Sequence, residues 1–257
     1  MMIGAVAGDM IGSPYEAHPI KTTDFSIRVA GFTDDTVLTI AVANSILNGI
    51  DYAVSIKTFA QKYPHLPYGG SFRHWMWESV NQPYNSYGNG SAMRVSPVGF
   101  AFESMEEVLF HARQSAAVSH NHPEGIKGAQ ATALAIFLAR RGEDKEVIRS
   151  QVAERFSYEL FRTVDDIRPG YSFDVSCQGS VPESIIAFLD ANDYETTVKN
   201  AISLGGDADT MACIAGGIAQ AYYKNIHEGI VLQVRENLPP HLLSVMDQFN
   251  QKYNCEY

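Results

Sequence analysis

Two short acidic clusters, Thr33-Asp34-Asp35-Thr36 and Gly205-Gly206-Asp207-Ala208-Asp209-Thr210, lie about 170 residues apart, and each runs straight into an apolar stretch. Taken singly, either reads as a helix cap: Ser, Thr and Asp at an N-terminus satisfy orphan backbone N–H groups, and acids in a first turn favour the macrodipole. A cap needs only one side-chain acceptor, however. Adjacent or i,i+2 carboxylates at a buried helix end repel one another unless something positive sits between them. Acids paired in two such places imply a cation. The donors on offer are carboxylate and hydroxyl oxygens, with neither Cys nor His inside either cluster, which selects Mg²⁺, Mn²⁺ or Ca²⁺ over zinc. Asp34, Asp35, Asp207 and Asp209, with Thr33 and Thr210, could hold two ions sharing a bridging carboxylate.

The elements that must position these acids read as central helices. Val37, Leu38, Ile40, Ala41, Val42 and Ile46 follow the first cluster, and Met211, Ala212, Ile214, Ala215, Ile218 and Ala219 belong to the second. In that second helix Ala212, Ala215, Gly216, Gly217 and Ala219 form a small-residue face, which lets another backbone come close at a cost in helix propensity. Periodicity and capping signals predict helices over 37–48, 53–63, 71–80, 105–119, 124–141, 145–159, 181–190, 194–203, 210–224 and 239–253. Phe25-Ser26-Ile27-Arg28-Val29 alternates and predicts a short extended piece. No linker, repeat or low-complexity run divides the chain, and a boundary inside it would split the metal site, so residues 1–257 read as one domain.

Between the clusters, Tyr87-Gly88-Asn89-Gly90-Ser91-Ala92-Met93-Arg94 contains an Asn-Gly turn whose successive N–H groups could also cradle an anion. Arg94 reads either as a phosphate contact or as the partner of an acid. Ser119-His120-Asn121-His122-Pro123 sets two histidines at i,i+2 before a proline; they face apart in an extended segment, so hydrogen bonding is expected rather than a metal pair. The opening Gly4-Ala5-Val6-Ala7-Gly8-Asp9-Met10-Ile11-Gly12-Ser13-Pro14-Tyr15-Glu16 places its last acid in what reads as a Pro/Gly-containing loop. In this order, and with both acidic clusters, these segments resemble the motifs of the ADP-ribosylglycohydrolase family, which includes the ADP-ribosylarginine hydrolases and the dinitrogenase reductase-activating glycohydrolases. The resemblance covers roughly residues 3 to 223, and joint occurrence makes it specific where any one motif would be weak.

The resemblance implies an all-α fold, a compact single-domain orthogonal helical bundle, with two Mg²⁺ or Mn²⁺ ions at the bottom of a cleft that binds ADP-ribose. It implies a hydrolase cleaving the glycosidic bond between ADP-ribose and a modified acceptor, either a protein side chain or a small ADP-ribosyl conjugate, with free ADP-ribose as product. Carried over by position, Thr33, Asp34, Asp35, Asp207, Asp209 and Thr210 match metal ligands. Asn89, Gly90, Ser91 and Met93, with His120 and Asn121, match positions that hold the diphosphate and riboses. Glu16 matches an acidic-loop residue near the metals or the distal ribose, and Asp9 an aspartate close by. Cleavage of such a bond passes through an oxocarbenium-like state that carboxylates stabilise and a proton donor assists. Glu16, Asp34 and Asp209 are the candidate catalytic carboxylates, with Glu16 as the proton-transfer group and Asp9 as an orienting one.

The chain departs from the family pattern in two places. The loop His65-Leu66-Pro67-Tyr68-Gly69-Gly70 contains no acid, which counts against arginine as the acceptor. Gln220 and Lys224 stand where glycine is usual, which reads as a packing adjustment. Tyr15, Tyr68, Phe72, Tyr87 and Phe173 are candidate stacking or mouth residues, while Trp75 and Trp77 read equally as core.

A length of 257 residues, 46% hydrophobic and 19% charged, suffices for one sizeable core. A net charge of −10 without a Lys/Arg run disfavours nonspecific nucleic-acid binding. Cys177, Cys213 and Cys255 are odd in number and lack metal-ligand spacing, which suits a reducing compartment. With no basic leader and no apolar run of about 18 residues, the expectation is a cytoplasmic, monomeric protein that does not enter a membrane. Two other readings stand beside the hydrolase: a protein that binds ADP-ribose or a related nucleotide without turnover, and a metal-dependent phosphoester or pyrophosphate hydrolase. Product identity separates them: free ADP-ribose, nothing, or AMP with ribose phosphate.

Overall fold

Fifteen helices make up the computed structural model, which describes residues 2–255: α1 (Ile3–Glu16), α2 (Asp34–Asn48), α3 (Tyr52–Ala60), α4 (Gly70–Trp75), α5 (Gly90–Met93), α6 (Ser96–Ala101), α7 (Met105–Ala117), α8 (Pro123–Arg141), α9 (Lys145–Phe156), α10 (Val164–Ile167), α11 (Cys177–Leu189), α12 (Tyr194–Ser203), α13 (Ala208–Tyr223), α14 (Glu228–Asn237) and α15 (Pro240–Tyr253). The all-α expectation holds, and the described residues form no strand; Phe25 to Val29 takes no regular secondary structure, and one isolated bridge joins Gly88 to Ser176. A continuous apolar core runs through the bundle.

The centre of that core is an antiparallel pair, α1 against α13. Gly4, Gly8 and Gly12 lie one helical turn apart and meet Gly216, Ala212 and Ala208 in reverse order. The contact is backbone to backbone: a Cβ added at Gly8 would lie 2.1 Å from the Ala212 carbonyl oxygen, and one at Gly12 2.5 Å from that of Ala208. The small-residue face read in the sequence of α13 is therefore a docking surface for α1. Antiparallel packing also carries the C-terminal end of α1, with Glu16, to the start of α13, where Asp207 and Asp209 stand.

Gly12, Ser13 and Pro14 predict a loop over residues 12–16, whereas α1 runs through them to Glu16. Glycine and proline signal breaks locally, but here tertiary contacts override them. Pro14 has no N–H for the Met10 carbonyl; that oxygen instead accepts from Ala30 N at 2.9 Å and lies 3.4 Å from Ser13 Oγ. The helix thus continues to Glu16. Helix α14 was missed as well, since its cap is His227, whose Nδ1 accepts from Gly229 N. Conversely, α4 stops at Trp75 although a helix to Val80 was expected, and beyond it the Lys57 ammonium donates to the carbonyls of Glu78 and Val80. Trp75 is core, whereas Trp77 is exposed.

Both departures in α13 have a structural reason. Buried Gln220 accepts from Gly4 N at 2.7 Å through Oε1, so it caps the start of the partner helix. Lys224 ends α13 with φ +50°, the left-handed conformation for which glycine is the usual choice. The three cysteines are free thiols.

Candidate active site

Asp9 follows Gly8 on α1, fully buried, and its carboxylate organises the start of α2. It accepts from Thr33 Oγ1 at 2.7 Å, Thr33 N at 3.0 Å, Thr36 Oγ1 at 2.5 Å and Thr36 N at 3.1 Å. Thr33 caps α2 in turn, accepting from Asp35 N at 3.3 Å. At the second cluster, Gly205 turns the chain with φ +65°, and Gly206 passes the Tyr171 ring so closely that a Cβ would lie 2.4 Å from it. Asp207 occupies the cap position of α13 yet makes no cap bond; its Oδ2 accepts from Asn89 Nδ2 at 2.7 Å. Asp209 Oδ1 accepts from Thr210 N at 2.9 Å.

Two carboxylate triplets result. Asp9, Asp35 and Asp209 each offer an oxygen within 4.8 Å of the other two, and so do Glu16, Asp207 and Asp209. Asp209 belongs to both. Burial, followed by repulsion from Asp209, pushes Asp9 and Asp34 up to about 7. The same causes raise Asp35 and Asp207 well above the usual carboxylate range and Glu16 more modestly. Asp35 Oδ1 is buried without a hydrogen-bond partner. An orphaned carboxylate oxygen beside five other acids fits an oxygen-ligated divalent cation, and the donor set has no nitrogen or sulfur to favour a softer ion.

Glu16, Asp34, Asp35, Asp207 and Asp209 line a cleft of about 290 Å³. The segment after Tyr84 and His120 line it as well, with Arg94 bordering it as the one basic side chain among the lining residues described. His120 is buried, packs edge-on to Tyr84 with ring centroids 5.8 Å apart, and is held neutral by burial and by Arg94.

The family model for the ADP-ribosylglycohydrolases matches this chain over residues 1–256. The chain belongs to the ADP-ribosylglycohydrolase family. ADP-ribosylhydrolase ARH3 of Homo sapiens is 29% identical, over 86% of this chain and 84% of its own. ADP-ribosylarginine hydrolase Tri1 of Pseudomonas putida (strain GB-1) is 24% identical, over 86% of this chain and 69% of its own. A solved structure described as an ADP-ribosylglycohydrolase-related protein complex shares the fold with a TM-score of 0.74 at 22% identity, covering 97% of this chain and 95% of that one. As a member of this family the protein is an ADP-ribosyl glycohydrolase.

Within this ADP-ribosylglycohydrolase, the expected site residues divide into three groups. Glu16, Asp34, Asp35, Asp207, Asp209 and Thr210 line the cleft together, as do Asn89, Gly90, Met93 and His120. Thr33 stands behind the acids as a cap, and Ser91 turns away to donate to Gly125 O at 2.7 Å. Asn121 lies outside the cleft, exposed, with Oδ1 accepting from Asn85 N at 2.8 Å. The anion cradle at Gly88 to Gly90 is only partial, because Gly88 N already donates to Ser86 Oγ and Asn89 N to Val175 O. His122 packs edge-on to Tyr87 and caps α8. The sequence reading missed Tyr84, Ser86 and Val175 as lining residues, and nothing local marks them. It also missed that the Asn89 amide serves Asp207, a pairing across 118 residues of chain.

Proposed function

We propose that the protein removes ADP-ribose from a modified acceptor with the help of two divalent cations, Mg²⁺ or Mn²⁺. The observation behind this reading is the pair of carboxylate triplets sharing Asp209, in a cleft that also presents the Asn89–Gly90 segment and a neutral His120. Asp9, Asp35 and Asp209 would hold one ion and Glu16, Asp207 and Asp209 the other, with Asp34 and Thr210 beside them. Bound cations supply Lewis acidity, orientation of sugar hydroxyls and a lowered pKa for water. Glu16, half-buried at the last turn of α1, keeps its proton to higher pH than an ordinary glutamate and can donate it to the departing acceptor. Asp34 and Asp209 supply negative charge for the oxocarbenium-like state. His120 and the Gly90 segment receive the diphosphate.

Pro67, Gly69 and Gly70 border the cleft, so the acid-free loop faces the ligand. That supports an oxygen-linked acceptor over a guanidinium, which would find no carboxylate on this wall.

The reading is tested by following release of free ADP-ribose from ADP-ribosyl-arginine, an ADP-ribosyl-serine peptide and O-acetyl-ADP-ribose, with Mg²⁺, with Mn²⁺ and with chelator. Metal-dependent release, faster from the oxygen-linked substrates, is expected. AMP with ribose phosphate would identify a pyrophosphatase, and tight binding without any product a binder. Glu16→Gln is expected to keep metal and ligand binding but lose turnover; a wild-type rate would remove Glu16 from the proton-transfer role.

A further inference from the structure

Arg94 is a fully buried cation with no carboxylate partner among the described residues. Its Nη2 donates to Ser115 O at 2.9 Å and to Ser119 Oγ at 2.8 Å, while Nε and Nη1 meet neither a partner nor solvent. Leaving a guanidinium uncompensated at this depth is costly. Although Arg94 borders the cleft, a ligand cannot touch those sealed nitrogens. What reaches the cleft is the field of the charge and whatever the charge imposes on its neighbours.

Ser119 is the neighbour that transmits it. Its Oγ accepts from Arg94 and stands 2.8 Å from His120 Nδ1, so hydroxyl and imidazole share one proton between them. The guanidinium lies on the Nδ1 side of the ring. There it attracts a lone pair and repels an N–H dipole pointing towards it. Ser119 therefore donates to Nδ1, and the ring proton sits on Nε2. That nitrogen faces the cleft segment: a Cβ added at Gly90 would come within 3.1 Å of it, and one at Gly88 within 3.7 Å. The Tyr84 phenol, kept protonated by burial, is the other titratable group beside Ser119.

We propose that Arg94 and Ser119 are positioning residues that hold His120 as a neutral Nε2–H tautomer, a constant hydrogen-bond donor for a phosphate oxygen of the ADP-ribosyl group. The tautomer rests on the arrangement of Arg94, Ser119 and His120, whereas its use in binding rests on the function proposed above. The relay explains why a buried arginine can stand without an acid: a carboxylate beside it would cancel the field that orients the imidazole.

The experiment is a ¹H–¹⁵N correlation spectrum of the histidine rings in the ligand-free protein, with His120 assigned by its loss in His120→Gln, followed by ADP-ribose titration. Wild type is expected to show Nε2–H alone. Ser119→Ala is expected to show mixed tautomers and about tenfold weaker ADP-ribose binding, the worth of one well-formed hydrogen bond. Arg94→Lys should keep the Nε2–H signature and Arg94→Met lose it; should either fail to fold, Ser119→Ala decides. An Nδ1–H signature in wild type, or Ser119→Ala unchanged in tautomer and affinity, overturns the proposal. If the tautomers behave as stated but ADP-ribose binds neither protein, the functional reading fails and the relay stands.

Discussion

Two charged regions at the cleft carry opposite signs and handle them in opposite ways. In the first, six acids converge with no basic side chain among them, and repulsion is held in check by protons or by a cation from outside. In the second, a single guanidinium is compensated only by the dipoles of Ser115, Ser119 and His120, all supplied by the chain itself. The difference teaches that a buried charge without a counter-ion has more than one meaning. Six acids brought together without a base call for a cation, whereas one guanidinium set among hydroxyl and carbonyl dipoles acts on the groups around it.

The sharpest way to break the comparison is to disarm the acidic region. Asp207→Ala with Asp209→Ala is expected to abolish metal binding and cut turnover by ~10³-fold or more, since both triplets lose members. The variant should also melt higher than wild type in chelator, because it removes buried like charges. Full activity in this variant would refute the metal centre.

Next in size is the contact that assembles that region. Gly8→Ala would place a methyl 2.1 Å from the Ala212 carbonyl oxygen and is expected to cost about 1–3 kcal/mol or more by denaturant titration. Gly170→Ala, with nothing within 4 Å of the added carbon, should be near neutral. Equal losses would mean that the close approach of α1 and α13 is not what positions the acids.

The pH response gives a finer test. Asp9 and Asp34 are raised from 3.8 to about 7, so between those values the metal-free folded state binds more protons than the unfolded chain. Stability from these groups is present at low pH and lost as pH rises towards about 7. In chelator the melting midpoint should decline across this window, and added Mg²⁺ or Mn²⁺ should restore it most at the upper end. A cation effect that is the same at both ends of the window would argue against the carboxylates as ligands.

At the opposite pole, His120→Gln is expected to weaken ADP-ribose binding about tenfold while leaving metal affinity intact. The smallest effect belongs to Asn121→Ala. Its side chain lies outside the cleft, so ligand affinity should stay within about 0.5 kcal/mol of wild type. A loss equal to that of His120→Gln would return Asn121 to the site.

Most of the acidic region was legible from sequence because its chemistry is local. Asp34-Asp35 and Asp207-x-Asp209 each declare themselves within a few residues, and the apolar runs behind them mark the helices that carry them. Helix α1 was not legible as a helix, because Gly4, Gly8, Gly12 and Pro14 favour it only once Ala212, Gly216 and Ala30 are in place. Arg94 and Asn89 were visible as residues but not in their roles. The Arg94–Ser119–His120 chain and the Asn89–Asp207 bond depend on which helix ends meet, and no short window of sequence records that.

The antiparallel contact of α1 with α13 also sets a schedule. As the chain leaves the ribosome, the glycine groove of α1 and the first acidic cluster emerge early, and their counterparts follow only after some 170 further residues. Until Ala208, Ala212 and Gly216 arrive, the groove has no cover and the first aspartates lack their carboxylate partners. Contacts of such long sequence separation form slowly and leave apolar surface open to other partners in the interval. Synthesis halted before α13 would yield not a weakened site but an unclosed one, so a completed acidic cluster doubles as a report that synthesis has passed α13.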